Sequence, residues 1–286
     1  MLRNVLEKLR FPGFRNPKPV VAILRFSGVI GQTGNPIRQG LTAEAFIRPI
    51  EQAFQLPHLK AVALQINSPG GSPVQASLIF KRIRAMAEKK EVPVVAFAED
   101  AVASGGYMLA CAADEIFADE SSVVGSIGVI SSGFGFVDLL EKIGVERRVH
   151  TAGKNKGMLD PFQKEKPQDV RRLKELQDDV FRTFTKIVKT RREGKLTLPD
   201  DQLFTGAFWT GHKALDLGLI DGIGELTSTM QERYGDRVQF RPVSEKKSWF
   251  KQRLSLSRSH QFDAGRWANE LIAIMEERAL WNRFGL

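Results

Sequence analysis

Short apolar runs alternate along this chain with longer stretches that repeat at the helical period. The apolar runs predict buried strands at residues 20–26, 61–66, 92–98 and 115–118, with further strands from 125, at 145–150 and from 218–221. The periodic stretches predict helices at 42–55, 73–90, 104–113, 137–143, 167–193 and 211–217. Strands that alternate with helices in this way predict an α/β domain with mostly parallel strand pairing.

Local signals refine these helices and divide the chain. Thr42 is a typical N-cap residue, and Pro49 should kink or split the helix that follows it. Pro73 suits the first turn of the next helix. We expect three parts: an N-terminal amphipathic helix and linker (1–19), a catalytic domain (20–240), and a linker with a C-terminal amphipathic helix (241–286).

Composition narrows the class of protein. The 286 residues are 42% hydrophobic and 26% charged, as in an ordinary globular enzyme, and the single Cys111 excludes an internal disulfide and suggests a buried thiol. We find no apolar run near the 18 residues of a membrane-spanning helix and no signal-peptide pattern, which predicts a cytoplasmic protein. The net charge of +9 is scattered, which disfavours a nucleic-acid partner and leaves peripheral contact with anionic lipid as its better functional use.

Two Gly-rich turns follow two of the predicted strands. Ser104-Gly105-Gly106-Tyr107 comes after the run at 92–98, and residues 67–71, which end in Gly70-Gly71, come after the run at 61–66. One turn offers a hydroxyl at the start of a helix, and the other offers backbone N–H groups. A nucleophile beside an oxyanion hole is what an acyl-transfer enzyme requires.

Simpler interpretations of these turns stay open from the residues alone. Ser104 could be only a helix N-cap, the Gly-Gly turn could be only a tight connection capped by Ser72, and Ser68 or Ser72 could be the nucleophile instead. The histidines at 58, 150, 212 and 260 are not in settings that suggest a base. The other base at neutral pH is a desolvated lysine, and the turn at 151–162 offers Lys154 and Lys156, which could equally be solvated loop residues.

Five ordered motifs make the chain similar to a known family. They are residues 67–71, 103–107, 125–129 (Gly-Ser-Ile-Gly-Val), 153–156 (Gly-Lys-Asn-Lys), and Thr210-Gly211 through Ala214 to 218–221. Over about residues 20–230 this order resembles the signal peptide peptidase A family, serine–lysine peptidases of the Clp protease/crotonase superfamily. The resemblance implies a crotonase-like spiral of ββα units in a single catalytic domain, and a reaction without metal or organic cofactor.

The resemblance also implies roles for particular residues. Ser104 would be the nucleophile, and Lys156, four residues before Asp160-Pro161-Phe162, would be the base. The remaining roles are the oxyanion hole, which falls on Gly71 and Gly105 with Gly70 as a further candidate, and the hydroxyl that orients the lysine, which falls on Ser126.

The family also predicts an assembly. Many members begin with a transmembrane segment and some carry two copies of the domain, whereas this sequence shows one copy and no such segment. In single-copy relatives the serine and the lysine meet across a subunit boundary, so we expect a homo-oligomeric ring. The expected activity is endopeptidase cleavage of signal peptides or membrane-associated polypeptides. The alternatives are an acyl-CoA enzyme of the crotonase type and an inactive peptide-binding scaffold at the membrane.

Overall fold

The computed structural model describes residues 17–32, 40–244, 275 and 278–285. In these residues one mixed sheet has the strand order β6-β5-β3-β2-β1-β8, and β4 joins β3 to β7. The strands are β1 Val20–Ser27, β2 Leu59–Ser68, β3 Val94–Ala103, β4 Glu115–Ala118, β5 Val123–Gly125, β6 Phe208–Thr210, β7 Gly222–Ile223 and β8 Gln239–Pro242. The helices are α1 Ala43–Ala53, α2 Pro73–Lys90, α3 Gly105–Ala110, α4 Val137–Lys142, α5 Pro167–Arg191, α6 Asp200–Leu203, α7 Gly211–Asp216 and α8 Leu226–Tyr234.

The sheet is buried on both faces, which explains the continuous apolar runs of its central strands. One face packs under α1, α2 and α3 in the larger apolar core, which contains Leu24, Leu64 and Ala96. The other face, with Ala63 and Val95, packs against α8 in a smaller cluster. All pairings among β1, β2, β3, β4, β7 and β8, and that of β3 with β5, are parallel, and β5 with β6 is antiparallel. The predicted α/β class with mostly parallel pairing is confirmed.

The third predicted strand is longer than expected because its polar side chains find partners. The apolar run at 92–98 was expected to end the third strand, yet β3 continues to Ala103. Its first polar residue, Glu99, accepts hydrogen bonds from Gln65 of the adjacent β2 and from Arg25 of β1, one strand further, and Asp100 accepts one from Asn67 of β2. Carboxylates that are bonded to side chains of the same sheet therefore do not interrupt the ladder.

Several local predictions are wrong. Pro49 does not split α1, which continues unbroken from Ala43 to Ala53; Pro49 and Ile50 are both buried there, and this burial opposes the loss of one backbone hydrogen bond. The strand expected from 125 is β5, which ends at Gly125, and residues 145–150 have no ladder partner among the described residues. The predicted helix 104–113 is shorter, since Ala112 and Ala113 donate to carbonyls three residues back and tighten its end into turns.

The predicted terminal elements lie almost entirely outside the described residues. Residues 1–16 and 245–274 fall there, and with them the N-terminal helix, the linker and most of the C-terminal helix. Residues 278–282 are helical, and Phe284 packs edge-on against Phe208 with 5.1 Å between ring centroids. No helix among the described residues is long and apolar enough to cross a membrane.

Candidate active site

Ser104 stands at the junction between β3 and α3 in a strained backbone conformation. Its φ of +52° and ψ of −121° are uncommon for a residue with a side chain. Two backbone hydrogen bonds hold it there: its N–H donates to the Gly125 carbonyl at 2.8 Å, and its carbonyl accepts from Met108 at 3.1 Å. The hydroxyl does not cap α3 by any bond among the described residues, so the N-cap interpretation loses its physical basis.

The Gly70-Gly71 turn lies directly against this serine. A Cβ added at Gly70 would lie 2.7 Å from the Ser104 Cβ, and one added at Gly71 would lie 2.1 Å from the Ile30 carbonyl oxygen. Both glycines have positive φ, +108° and +134°. Only residues without a side chain allow β2 to turn this close to the serine.

The turn presents its two N–H groups differently. The Gly70 N–H donates to the Ser68 hydroxyl at 3.2 Å, so Gly70 is already satisfied within the turn. The Ile30 N–H donates to the Gly70 carbonyl, and the Ile30 carbonyl accepts from the Ser72 N–H. These bonds hold the residues on both sides of Gly71, so the Gly71 N–H points away from Ile30. Of the two candidates in this turn, Gly71 is therefore the better oxyanion donor and Gly70 the poorer one.

Gly105 and Gly106 bring the start of α3 against the same turn. A Cβ at Gly106 would lie 2.8 Å from the Ser68 carbonyl oxygen, and one at Gly105 would lie 3.6 Å from the Gly71 nitrogen. The first N–H groups of a helix have no partner within the helix. The N–H groups of Gly71 and Gly105 thus lie close together beside Ser104, as an oxyanion hole requires.

The alternative serines have structural partners. Ser68 is fully buried and holds the Gly70 N–H. Ser72 accepts from the Gln75 N–H at 3.4 Å and is the N-cap of α2. Neither hydroxyl is left as a candidate nucleophile comparable with Ser104.

Ser126 shares a cleft with Ser104. This cleft, about 460 Å³ in volume, is lined by both serines, by apolar Val129 and Ile130, and by residues of α5 and of the 204–206 segment. Ser126 is 6% exposed, has a φ of +52°, and is fixed by its N–H donating to the Ala207 carbonyl at 2.7 Å. Arg283 of the C-terminal segment also lines the cleft. The predicted nucleophile and the predicted orienting hydroxyl are therefore brought together.

Lys156 is not brought to this cleft within one chain. Both Lys154 and Lys156 are exposed on a turn that the Lys156 N–H closes onto the Gly153 carbonyl at 3.1 Å, and neither lines the cleft of Ser104. None of the described histidines lines that cleft either. Among the described residues of a single copy, neither a lysine nor a histidine therefore lines the cleft of Ser104.

The lysine turn belongs to an arm, residues 129–162, that has its own anchoring contacts. Asp160 pairs with Arg147 and accepts from the Phe162 N–H at 3.1 Å, while the Phe136 and Phe162 rings lie 5.4 Å apart. The hydrogen bond from Arg147 lowers the pKa of Asp160 below its usual range. These contacts fix the end of the turn at the Asp-Pro-Phe element.

The arm exposes apolar side chains that a globular core would bury. Phe134 is 80% exposed, Ile130 65%, Ile143 59% and Val145 51%. Exposed large apolar side chains at this density are typical of a surface that another molecule covers. The predicted strand at 145–150, which contains Val145, lies on this arm without a partner in the described chain.

A network of buried polar groups supports α3 from behind, and the sequence pattern does not predict it. The Tyr107 hydroxyl donates to the Leu219 carbonyl at 2.7 Å. Arg192, only 2% exposed, donates to the Gly218 carbonyl at 2.9 Å and to Asp221 at 2.6 Å. The only signal in the sequence was the motif at 218–221, whose contacts with α3 cannot be derived from spacing.

The surroundings of Asp221 and Cys111 shift the pKa values of these two side chains. Burial would raise the pKa of Asp221, but hydrogen bonds from Arg192 and Lys195 outweigh it and lower the pKa below its usual range. Cys111 is buried, as expected, and this burial raises the pKa of its thiol to about 12.

Comparison with known proteins identifies the family. The model of peptidase family S49 matches residues 86–237, which include Ser104, Ser126 and Lys156. The chain belongs to peptidase family S49. The resemblance to signal peptide peptidase A proteins is confirmed, and relatives in this family are named as signal peptide peptidases and serine proteases.

Named relatives come from several branches of life. The putative signal peptide peptidase SppA of Enterococcus faecium is 30% identical over 224 residues, covering 77% of this chain and 64% of that protein. The chloroplastic serine protease SPPA of Arabidopsis thaliana is 31% identical, covering 75% of this chain and 32% of that protein. A protein of Brucella melitensis named Na(+)/H(+) antiporter NhaA is 45% identical over the whole chain, which spans 39% of that protein's length.

Solved structures agree on the fold. The 1510-N membrane-bound stomatin-specific protease, in a variant form with a substrate peptide, superposes with a TM-score of 0.52 at 16% identity, covering 84% of this chain and 98% of that one. A second variant of the same protease covers 81% of this chain and 100% of that one, with a TM-score of 0.50.

Proposed function

We propose that this chain is a serine endopeptidase that cleaves peptides through an acyl-enzyme on Ser104, with Lys156 of a neighbouring copy as its base. The observation that carries the proposal is the strained Ser104 placed beside the N–H groups of Gly71 and Gly105. Membership of peptidase family S49 supports hydrolysis over acyl-CoA chemistry on the same type of fold.

The proposed reaction uses the backbone donors at the point where charge develops. An uncharged Lys156 amine takes the Ser104 proton as the hydroxyl oxygen attacks the scissile carbonyl carbon. The Gly71 and Gly105 N–H groups bind the resulting oxyanion, a stabilisation of about 3–4 kcal/mol per donor in comparable sites. The lysine then protonates the leaving amine, and an activated water releases the acyl group from Ser104.

A lysine can serve as the base only when it is desolvated. Its pKa must fall from about 10.4 toward 7–8 to leave a useful neutral fraction. In a single copy the arm that carries Lys156 is exposed together with apolar Ile130, Phe134 and Ile143. Docking this arm on a second copy would bury those side chains, withdraw the amine from water and bring it to the cleft of Ser104.

Ser126 fits the role of the hydroxyl that orients the incoming amine. It lines the same cleft as Ser104 and is held rigidly by the bond from its N–H to Ala207. A hydroxyl oxygen can accept a hydrogen bond from an N–H of a neutral amine and so turn the nitrogen lone pair toward the serine.

The substrates that we propose are membrane-associated polypeptides, including cleaved signal peptides. The stomatin-specific protease with this fold is described as membrane-bound, and the Brucella relative is named as an antiporter. The net charge of +9 supports peripheral attachment to anionic lipid at the inner face of a membrane. Flotation with phosphatidylglycerol vesicles should recover the protein, and equal flotation with neutral vesicles would contradict an electrostatic attachment.

Active-site labelling tests the proposed activity. A fluorophosphonate probe should label the wild-type chain and not Ser104→Ala, and both Ser104→Ala and Lys156→Ala should lose hydrolysis of a fluorogenic peptide. Lys154→Ala is the matched control and should keep it. A chain that binds peptide, cleaves none and takes no label would instead be the inactive scaffold, and loss of activity in Lys154→Ala alone would move the base to that residue.

A further inference from the structure

A second cavity continues the cleft of Ser104. It has a volume of about 620 Å³ and lies along α5, where we name it the α5 groove. Phe181 and Phe204 line both the cleft and the groove, so the two spaces meet at this pair of rings. The groove therefore opens from the cleft and forms with it a single longer depression.

Two chain segments line this depression along its whole length, α5 on one side and residues 200–206 on the other. On α5 the lining advances from Gln177 at the cleft, through Phe181, to Lys189 at the far end. On the facing segment it advances in the opposite direction, from Gly206 at the cleft to Asp200. Twelve helical residues span about 18 Å, the length of about five residues of extended peptide.

The groove is lined by more cations than carboxylates. Arg182, Lys186 and Lys189 lie along its length, against the two carboxylates of Asp200 and Asp201.

Among the described residues, the ion pairs along the groove involve two of its three cations. Lys189 pairs with Asp200 at 2.6 Å, but both side chains are more than half exposed, so this pair is weak and can exchange partners. Arg182 likewise pairs with Asp179 on the surface. Lys186 belongs to none of the ion pairs between described side chains, and it is exposed on the groove.

We infer that the α5 groove binds the substrate chain on one side of the scissile bond and that Lys186 selects an acidic side chain of the peptide segment that lies in the groove. This inference rests on the proposed peptidase function for its occupant. Continuity with the Ser104 cleft, a length that matches a short extended peptide, and a groove cation that pairs with none of the described carboxylates all favour a peptide over a small molecule.

Binding to an inactive chain isolates the groove from catalysis. Fluorescent peptides share an Ala/Leu-rich centre and carry a six-residue tail on the amino or the carboxyl side, with Glu or Gln at its distal positions. Anisotropy with Ser104→Ala should show that one of the two tails tightens Kd about tenfold over the untailed peptide. Glu in that tail should bind about threefold tighter than Gln at low salt.

Two groove variants and one control variant, all in the Ser104→Ala background, locate the effect. Lys186→Glu should abolish or reverse the preference for Glu, while Lys81→Glu, which makes the same charge change at an exposed lysine of α2, should leave it intact. Thr185→Trp, which fills the groove, should remove the gain from the tail without changing the Kd of the untailed peptide.

The outcomes separate this inference from the proposed function. Equal binding of tailed and untailed peptides would overturn the groove, even if wild-type protein hydrolyses the untailed peptide. A cross-link from Lys186 to a second copy of the chain would also overturn it, because the groove would then be a subunit contact. Tail-dependent binding without labelling or cleavage at Ser104 would sustain the groove and refute the peptidase.

Discussion

Gly71→Ala should damage catalysis far more than folding. The new Cβ would lie 2.1 Å from the Ile30 carbonyl oxygen and 2.9 Å from the Ile30 nitrogen, both of them backbone atoms. Ordinary contacts begin near 3.5 Å, so the turn must retreat by about 1 Å. The residue would also keep a φ of +134°, which side chains rarely adopt.

The expected size of the effect follows from these two disturbances. Backbone strain at such a position costs about 1–3 kcal/mol of folding free energy. Displacing an oxyanion donor by about 1 Å should remove most of its contribution, a loss of about 100- to 1000-fold in kcat. KM should change little, because the donor binds the transition state more strongly than the substrate.

The assay is kcat on a fluorogenic peptide, with active sites counted by fluorophosphonate, together with a urea unfolding curve. Gly28→Ala is the matched control, since Gly28 has a φ of +108° but a Cβ there would meet nothing within 4 Å. It should lose stability from strain and keep kcat within about threefold. A folded Gly71→Ala protein with near-normal kcat would refute the assignment of Gly71 to the oxyanion hole.

Three further predictions concern the support of the site. Tyr107→Phe leaves a buried carbonyl without its donor, so the free energy of unfolding should fall by about 1–3 kcal/mol and fluorophosphonate labelling should slow; unchanged labelling would make this bond purely structural. The hydrogen bond from Arg192 helps hold the pKa of Asp221 below its value in the unfolded chain. The ionised Asp221 therefore stabilises the fold above about pH 4, and this stabilisation is lost as the pH falls further. Asp221→Asn should therefore flatten the acid limb of a stability–pH curve, and an unaltered limb would contradict this. Ser126→Ala should lower kcat about 10- to 100-fold with KM retained, and normal kcat would remove its proposed role in orienting Lys156.

Much of the fold follows from local pattern, and the exceptions have physical causes. The apolar runs locate β1, β2 and β3, and the Thr42 and Pro73 signals locate the starts of α1 and α2. The prediction that Pro49 would split α1 was wrong because burial of the Pro49 ring, which depends on tertiary contacts, outweighs one lost hydrogen bond. The prediction of a strand at 145–150 was wrong because the apolar residues there are exposed on the arm and do not pack in the core.

The site was only partly predictable for a similar reason. Residue types and the two Gly-rich turns identify Ser104 and its neighbouring N–H donors. Which of these N–H groups is free depends on the Ser68 hydroxyl, which accepts a hydrogen bond from the Gly70 N–H two residues later. The contact between Tyr107 and Leu219 joins residues 112 positions apart, and no spacing rule indicates it. A partner for Ser104 that comes from another copy lies beyond what one chain can display.

Mixed assemblies test the central claim, that the serine of one copy acts with the lysine of another. Ser104→Ala and Lys156→Ala chains, each inactive alone, should be co-expressed in equal amounts and assayed as purified oligomers. In a randomly mixed ring, about one quarter of the boundaries would join an intact serine to an intact lysine, so activity should return to about one quarter of the wild-type value. Mixed oligomers that remain inactive would place both groups within one chain and contradict the account.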